Sequence, residues 1–170
     1  MTPPLPPLVH PDLFHLTAAE GWLGLGDWQS AKDELEEIAP HLRAHPDVLR
    51  MRWIVYAAAR HWELAAEVTA TLARLLPNEP EGWSHHSIAL YRLGRTAEAR
   101  QTLLDVLERF PTEPILRYNL ACYECQLGCL PAAREQLVRA FALAANAEYL
   151  RHQALADPDL EPLWPEIPTL

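Results

Sequence analysis

Residues 80–113 read PEGWSHHSIALYRLGRTAEARQTLLDVLERFPTE, and the stretch divides into two helices and two breaks. Trp83, Ser87, Leu90 and Leu93 recur at helical spacing. Gly94 then supplies the left-handed residue that a helix stop favours. Ala99, Leu103, Val106, Leu107 and Phe110 form the apolar stripe of a second helix. Pro111 and Pro114 close the stretch, because proline cannot continue a helix. Pro114 can instead open the next helix, where its missing N–H costs nothing.

The stretch recurs along the chain. Pro46, Pro80 and Pro114 are 34 residues apart, as are Ala31, Ala65, Ala99 and Ala133. Trp28 and Trp62 keep the same step; Gly26, Gly94 and Gly128 share one position, which Arg60 takes in the second unit. This register predicts four units, 12–45, 46–79, 80–113 and 114–147. A single helix of this length is marginal in water, so each apolar stripe needs its partner helix and the next unit. Alanine at the shared position lets the two helices of a hairpin approach closely; a larger side chain there would overpack the contact at about 1–3 kcal/mol.

The third unit resembles the tetratricopeptide repeat (TPR), whose pattern runs W-x2-L-G-x2-Y, then A-x3-F, then P. Trp83, Gly94, Ala99, Leu103 and Pro111 fit that repeat, whereas His86, Ser87 and Leu90 stand where Leu, Gly and Tyr are usual. Tyr118-Asn119-Leu120-Ala121-Cys122-Tyr123 is similar to the first helix of many TPR units, and Trp22 and Tyr56 hold the aromatic position of the first two. The resemblance implies an all-α fold: a right-handed α-solenoid of four TPR helical hairpins with a C-terminal capping helix. Residues 148–170 would be that cap and a Pro-rich tail, with Leu160, Leu163 and Trp164 folding back on the last helices. Residues 1–11 hold five prolines and are expected to be an extended or mobile segment. Their Pro3/Pro6 and Pro4/Pro7 spacing also fits an SH3-type ligand.

In the family, the first helices of successive units line a concave groove that takes a peptide. Carried across unit by unit, the resemblance assigns that groove to Leu16, Glu20, Arg50, Ile54, Ser84, Ile88, Tyr91, Arg92, Tyr118 and Cys122. Leu16, Ile54, Ile88, Tyr91 and Tyr118 would be the apolar floor, and Arg50 and Arg92 the cations that take an acidic group. The alternative is that the chain's own tail or a second copy covers this floor. The Lys/Asn clamp by which one TPR subgroup holds chaperone carboxylates is missing: in the second-unit register its positions are Arg50, Ile54, His85, Ile115 and Asn119. The implied function is a protein–protein interaction module, an adaptor or scaffold binding another protein or a peptide. A self-associating scaffold is the alternative, and a cysteine-based metal or redox protein a third reading.

Composition narrows the partners. Fourteen Lys and Arg against 23 Asp and Glu give a formal charge of -9, which repels phosphate backbones and anionic membranes. No stretch approaches the ~20 apolar residues of a membrane span. Met1 to Pro11 has neither the cationic start nor the apolar run of a signal peptide. The expectation is a cytoplasmic protein with reduced thiols and no nucleic-acid or membrane partner.

Cys122, Cys125 and Cys129 are spaced C-x2-C-x3-C. The first pair falls within a helix and no further ligand set completes four, so no metal site and no cofactor are expected. No nucleophile elbow, P-loop, dinucleotide fingerprint or HExxH is present, so no catalytic residue is assigned and the chain is read as a non-enzyme. His86 is expected as a hydrogen-bonded core histidine. Asp33, Glu34, Glu36 and Glu37 read as a solvated convex face. Arg52 and Glu124 stand where the family is usually apolar, and two readings stay open: local distortion of the unit boundary, or a paired charge at a helix seam.

Overall fold

Proline is the first residue of three of the described α-helices. Pro46, Pro80 and Pro114 are the first residues of α3 (Pro46–Ala58), α5 (Pro80–Arg92) and α7 (Pro114–Gln126). The computed structural model describes residues 6–170, and every regular element among them is helical. The remaining α-helices are α1 (Asp12–Gly24), α2 (Trp28–Glu37), α4 (Trp62–Leu75), α6 (Thr96–Leu107), α8 (Leu130–Leu143) and α9 (Ala147–Ala156). A short 3-10 helix, Pro40–Leu42, precedes α3, and two more, Pro158–Leu163 and Ile167–Thr169, follow α9. No described helix is long and apolar enough to cross a membrane.

Helices pair as α1/α2, α3/α4, α5/α6 and α7/α8. Each hairpin turns in the same way. In the third, Gly94 N–H donates to Tyr91 O (2.9 Å) and Arg95 N–H to Leu90 O (3.0 Å), the bond pair of a Schellman stop. The bonds recur at Gly26/Asp27, Arg60/His61 and Gly128/Cys129. The stop needs a left-handed residue: φ is +76° at Gly94, and Arg60, in the glycine's place, adopts φ 56°. A side chain in that conformation costs about 1–2 kcal/mol, so the second hairpin bears a penalty that the other three avoid.

The 34-residue register is a burial register. Ala31, Ala65, Ala99 and Ala133 have no exposed surface. Four residues on, Leu35, Thr69, Leu103 and Leu137 are equally buried. Thr69 satisfies its hydroxyl by donating to Ala65 O at 2.7 Å. Each hairpin is therefore closed by a small residue one turn from a larger one.

The helices gather into two compact units, residues 1–76 and 77–170. In the first, α1 and α2 both pack on α3. Asp12 accepts from Ala39 N–H (2.7 Å), fixing the start of α1 to the chain leaving α2. Part of the Pro-rich segment is engaged here too: Leu8 is buried, and His45 Nε2–H donates to Pro6 O (3.1 Å) while its Nδ1 accepts from Asp47 N–H (3.2 Å). Residues 6–8 are therefore not an idle, mobile tail; burial of Leu8 and a satisfied carbonyl hold them. Pro3 and Pro4 lie outside the described residues.

In the second unit, α5 and α6 both pack on α7, and α9 packs on α8. The chain after α9 runs back over α7, with Leu160, Leu163 and Ile167 almost wholly buried. Trp164 Nε1–H donates to Ala154 O (3.1 Å) and Asp157 O (3.2 Å), which holds that return path.

Both charges left open by the sequence are paired at seams. Arg52 on α3 donates to Glu36 Oε1 (2.8 Å), to Leu35 O (3.0 Å) and to the Tyr56 hydroxyl (2.9 Å). Burial is the largest single influence on Arg52 and lowers its pKa, but the hydrogen bonds and charges of Glu36 and Tyr56 together outweigh it and the pKa ends raised; the bond to Arg52 lowers that of Glu36. Glu124, 4% exposed, meets Arg100 Nε at 2.6 Å, joining α6 to α7. The acidic run on α2 needs correction accordingly. Glu36 is held by Arg52 and Arg43 while 44% of its side chain stays exposed, and Glu34 accepts from His15 Nδ1 (2.9 Å), so two of its four carboxylates make contacts besides facing water.

Candidate functional site

The assigned groove residues fall into two sets, one in each unit. In the first unit they lie on α1 and α3, which pack against one another. Leu13, Leu16 and Glu20 share one face of α1 by their spacing. Leu16 is half-buried and Glu20 exposed, whereas Leu13 keeps 47% of its surface. On α3, Ile54 is 48% exposed. Arg50 lies one turn before it and pairs with Asp47 at 3.1 Å. This face is apolar and wet, with a carboxylate and a cation beside it.

The second unit differs, because its face is already in use. Tyr91 on α5 donates its hydroxyl to Asp159 Oδ1 at 2.6 Å. Tyr118 on α7 donates to Asp157 Oδ2 at 2.9 Å, and the Cys122 thiol lies 3.7 Å from the same oxygen. Gln126 Nε2–H donates to Asp159 O at 3.0 Å. Tyr118 and Cys122 are buried as a result, and Tyr91 half-buried. Ser84 is buried and accepts from Asn119 Nδ2 (3.2 Å), a bond between α5 and α7. Ile88 and the expected core histidine His86 are half-buried, and Arg92 is exposed.

The structure thus brings Tyr91, Tyr118 and Cys122 together around two carboxylates of the chain's own tail. Sequence reasoning placed Asp157 and Asp159 in a turn but assigned neither them nor Gln126 to the groove. Their only signal was the Asp-Pro-Asp turn, which marks a bend without saying what its side chains reach.

Electrostatics follow from this packing. Burial pushes the Tyr118 and Tyr91 phenols well above their ordinary range, and the hydrogen bonds to Asp157 and Asp159 add to it. Burial also pushes the Cys122 thiol up strongly, with the Asp157 and Asp159 charges contributing; Cys125 moves the same way. A raised thiol pKa opposes the thiolate that metal binding and redox exchange require. Among the described residues, no three His, Cys, Asp or Glu side chains are grouped to hold a metal ion. Cys129, by contrast, is exposed at the start of α8.

A thiolate-directed reagent at neutral pH should therefore modify Cys129 quickly, and Cys122 and Cys125 only as fast as the unit opens. Equal rates for all three thiols in the native protein would show that burial and the carboxylates do not control them.

No known family profile matches the chain. A stretch of 74 residues is 32% identical to a UPF0162 protein of Xylella fastidiosa strain 9a5c and 31% identical to one from strain Temecula1 / ATCC 700964. That stretch is 44% of this chain, which spans only about a quarter (26%) of the length of these curated relatives. Among solved structures, the chain is similar to MamA (41-end) from Desulfovibrio magneticus RS-1, with a TM-score of 0.73 at 19% identity over 96% of this chain and 94% of that one. MamA MSR-1 gives a TM-score of 0.67 at 20% identity over 78% and 76%. A thermophilic TPR protein of Thermus thermophilus gives 0.65 at 20% identity, covering 94% of this chain and all of its own. Likeness at such identities concerns the backbone, and it agrees with the 34-residue register and the four equivalent hairpin turns: the chain has the tetratricopeptide-repeat fold.

Proposed function

We propose that the chain is a protein-binding adaptor, working by capture and not by catalysis, and that its partner segment lies across the α1–α3 face of the first unit. One observation carries this reading. Ile54 and Leu13 each keep about half their surface in water (48% and 47%) on neighbouring first helices, where burial would favour covering them. Leu16 extends that floor, and Arg50 and Glu20 stand beside it. The matching occupant is a peptide segment with apolar side chains at helical or extended spacing and an acidic group near Arg50. Four unit boundaries at 12, 46, 80 and 114 are proposed as the repeat frame that sets this face.

The second unit supports the reading by example. There the chain's own Asp157 and Asp159 occupy groove positions, held by tyrosine hydroxyls. Tyr118 and Cys122 are thus proposed as groove positions filled from within, while Ile88 and Arg92 remain at its accessible edge.

The test begins with affinity capture and mass spectrometry, followed by titration with the purified partner. Ile54→Ala, Leu16→Ala and Arg50→Ala are compared with Glu63→Ala, an exposed residue on α4. Truncating a true anchor should cost about 2 kcal/mol, roughly thirtyfold in affinity. If Glu63→Ala weakens binding while the three α1 and α3 changes leave it intact, the assignment is wrong.

A further inference from the structure

Helix α1 presents a second face. Asp12, Ala19 and Leu23 turn into the unit, and Leu13, Leu16 and Glu20 form the face described above. On the remaining side, at about 100° per residue, Phe14, Ala18 and Gly21 line up with Leu25, the C-cap residue just after α1, at i, i+4, i+7 and i+11. Phe14 is 60% exposed and Leu25 78%. A Cβ at Gly21 would meet nothing within 4 Å among the described residues, so none of them packs on the stripe at that point.

We propose that this stripe is a self-association surface, on which α1 of a second copy packs antiparallel. The order of side chains argues for a second copy. The stripe runs large, small, small, large, and it is symmetric about the point between Ala19 and Glu20. A two-fold axis there sets Phe14 against Leu25 of the other copy and Ala18 against Gly21, twice over. That is the self-complementarity an isologous interface requires. The small pair lets the two backbones approach, and the large pair covers both ends of the contact.

Charge points the same way. A chain of formal charge -9 repels its copy, so a dimer needs a patch free of charge. None of Phe14, Ala18, Gly21 and Leu25 is ionisable, and the exposed carboxylate of this helix, Glu20, belongs to the other face. A partner recognised through charge would find nothing to hold on the stripe.

Association should stop at two. The two-fold contact uses the stripe of each copy and leaves none for a third. The expected dimer is also weak. α1 has 13 residues, about 20 Å of length, and one face of a single helix that short buries less than the roughly 800 Å² per partner of a standard stable interface. Trp22, 39% exposed beside the stripe, should report the encounter by a change in emission.

The experiment is sedimentation velocity on the full chain over a series reaching the millimolar range, with Phe14→Lys and Leu25→Glu variants. The wild type should show a reversible monomer–dimer equilibrium, and each variant alone should weaken it by at least about tenfold. An equimolar mixture of the two variants should recover dimer, because the introduced cation of one faces the introduced carboxylate of the other. Gly21→Leu guards against misfolding as an explanation: a Cβ there would meet nothing within 4 Å among the described residues, and leucine favours a helix more than glycine, so the helical melt should hold while the dimer is lost. A wild-type chain that stays monomeric throughout, a dimer indifferent to Phe14→Lys and Leu25→Glu, or a mixture that fails to recover dimer would each overturn the proposal.

Discussion

Leu160→Ala should destabilise the second unit by about 3 kcal/mol, within the range measured when a fully buried leucine is truncated. Leu160 has no exposed surface, and Leu163 and Ile167 beside it have almost none. All three stand on a segment without an α-helix of its own, so their burial is what holds it. Cutting the chain after Ala156 removes all three together with the Trp164 bonds to Ala154 and Asp157. It also strips the carboxylates from Tyr118 and Tyr91, leaving the apolar face of α7 in water. The loss should exceed that of Leu160→Ala, although the contacts are too close to add independently. Urea denaturation, followed by far-UV dichroism and by amide exchange in α7, measures both. In a unit of this size, 3 kcal/mol corresponds to about 10–20 °C in melting temperature. A loss below about 1 kcal/mol for Leu160→Ala would show that the tail rests on the hairpin without supporting it.

The hairpins were legible because their determinants are local and periodic. Ala99 is buried for the same reason as Ala31, and a spacing of 34 residues is enough to see it. The Schellman turns were legible at Gly26, Gly94 and Gly128. Arg60 required the register, since arginine by itself gives no sign of a left-handed residue. The burial of Leu160 and Leu163 could be expected from an array end that needs covering. What Asp157 and Asp159 do could not. The bond from Tyr91 to Asp159 spans 68 residues, and that from Tyr118 to Asp157 spans 39. No period links them, and a carboxylate in a turn looks the same in sequence whether it faces water or a phenol. The acidic run on α2 was misread for a related reason. Charge density marks a face as polar, but Glu36 is fixed by Arg52, an arginine that the repeat pattern treats as an anomaly. Two exceptions to the pattern therefore explain one another only once they are placed together.

Arg100→Ala should cost about 2–3 kcal/mol, far more than its position on a helix surface suggests. Its partner decides this. Glu124 is 4% exposed, its Oε1 meets Arg100 Nε at 2.6 Å, and its other oxygen, Oε2, is buried without a hydrogen bond. Removing the guanidinium leaves a carboxylate inside the α6–α7 seam with neither water nor a cation. Arg100 is itself 36% exposed, so part of its charge is screened, and the expected loss lies below that of a fully buried pair. Glu124→Leu removes the anion along with its need for a partner and should cost less. The double variant Arg100→Met, Glu124→Leu should return close to the wild type or pass it, because two apolar side chains at this seam incur no desolvation. Arg95 and Glu98 provide the contrast. They are 2.6 Å apart and both about half exposed, so solvent screens the pair and Arg95→Ala should change stability far less than Arg100→Ala. A double-mutant cycle across Arg100 and Glu124, measured by urea denaturation, tests the account. If Arg100→Ala costs no more than Arg95→Ala, the seam admits water and Glu124 is not held by its cation. If the double variant is as unstable as Arg100→Ala alone, packing and not charge sets the loss.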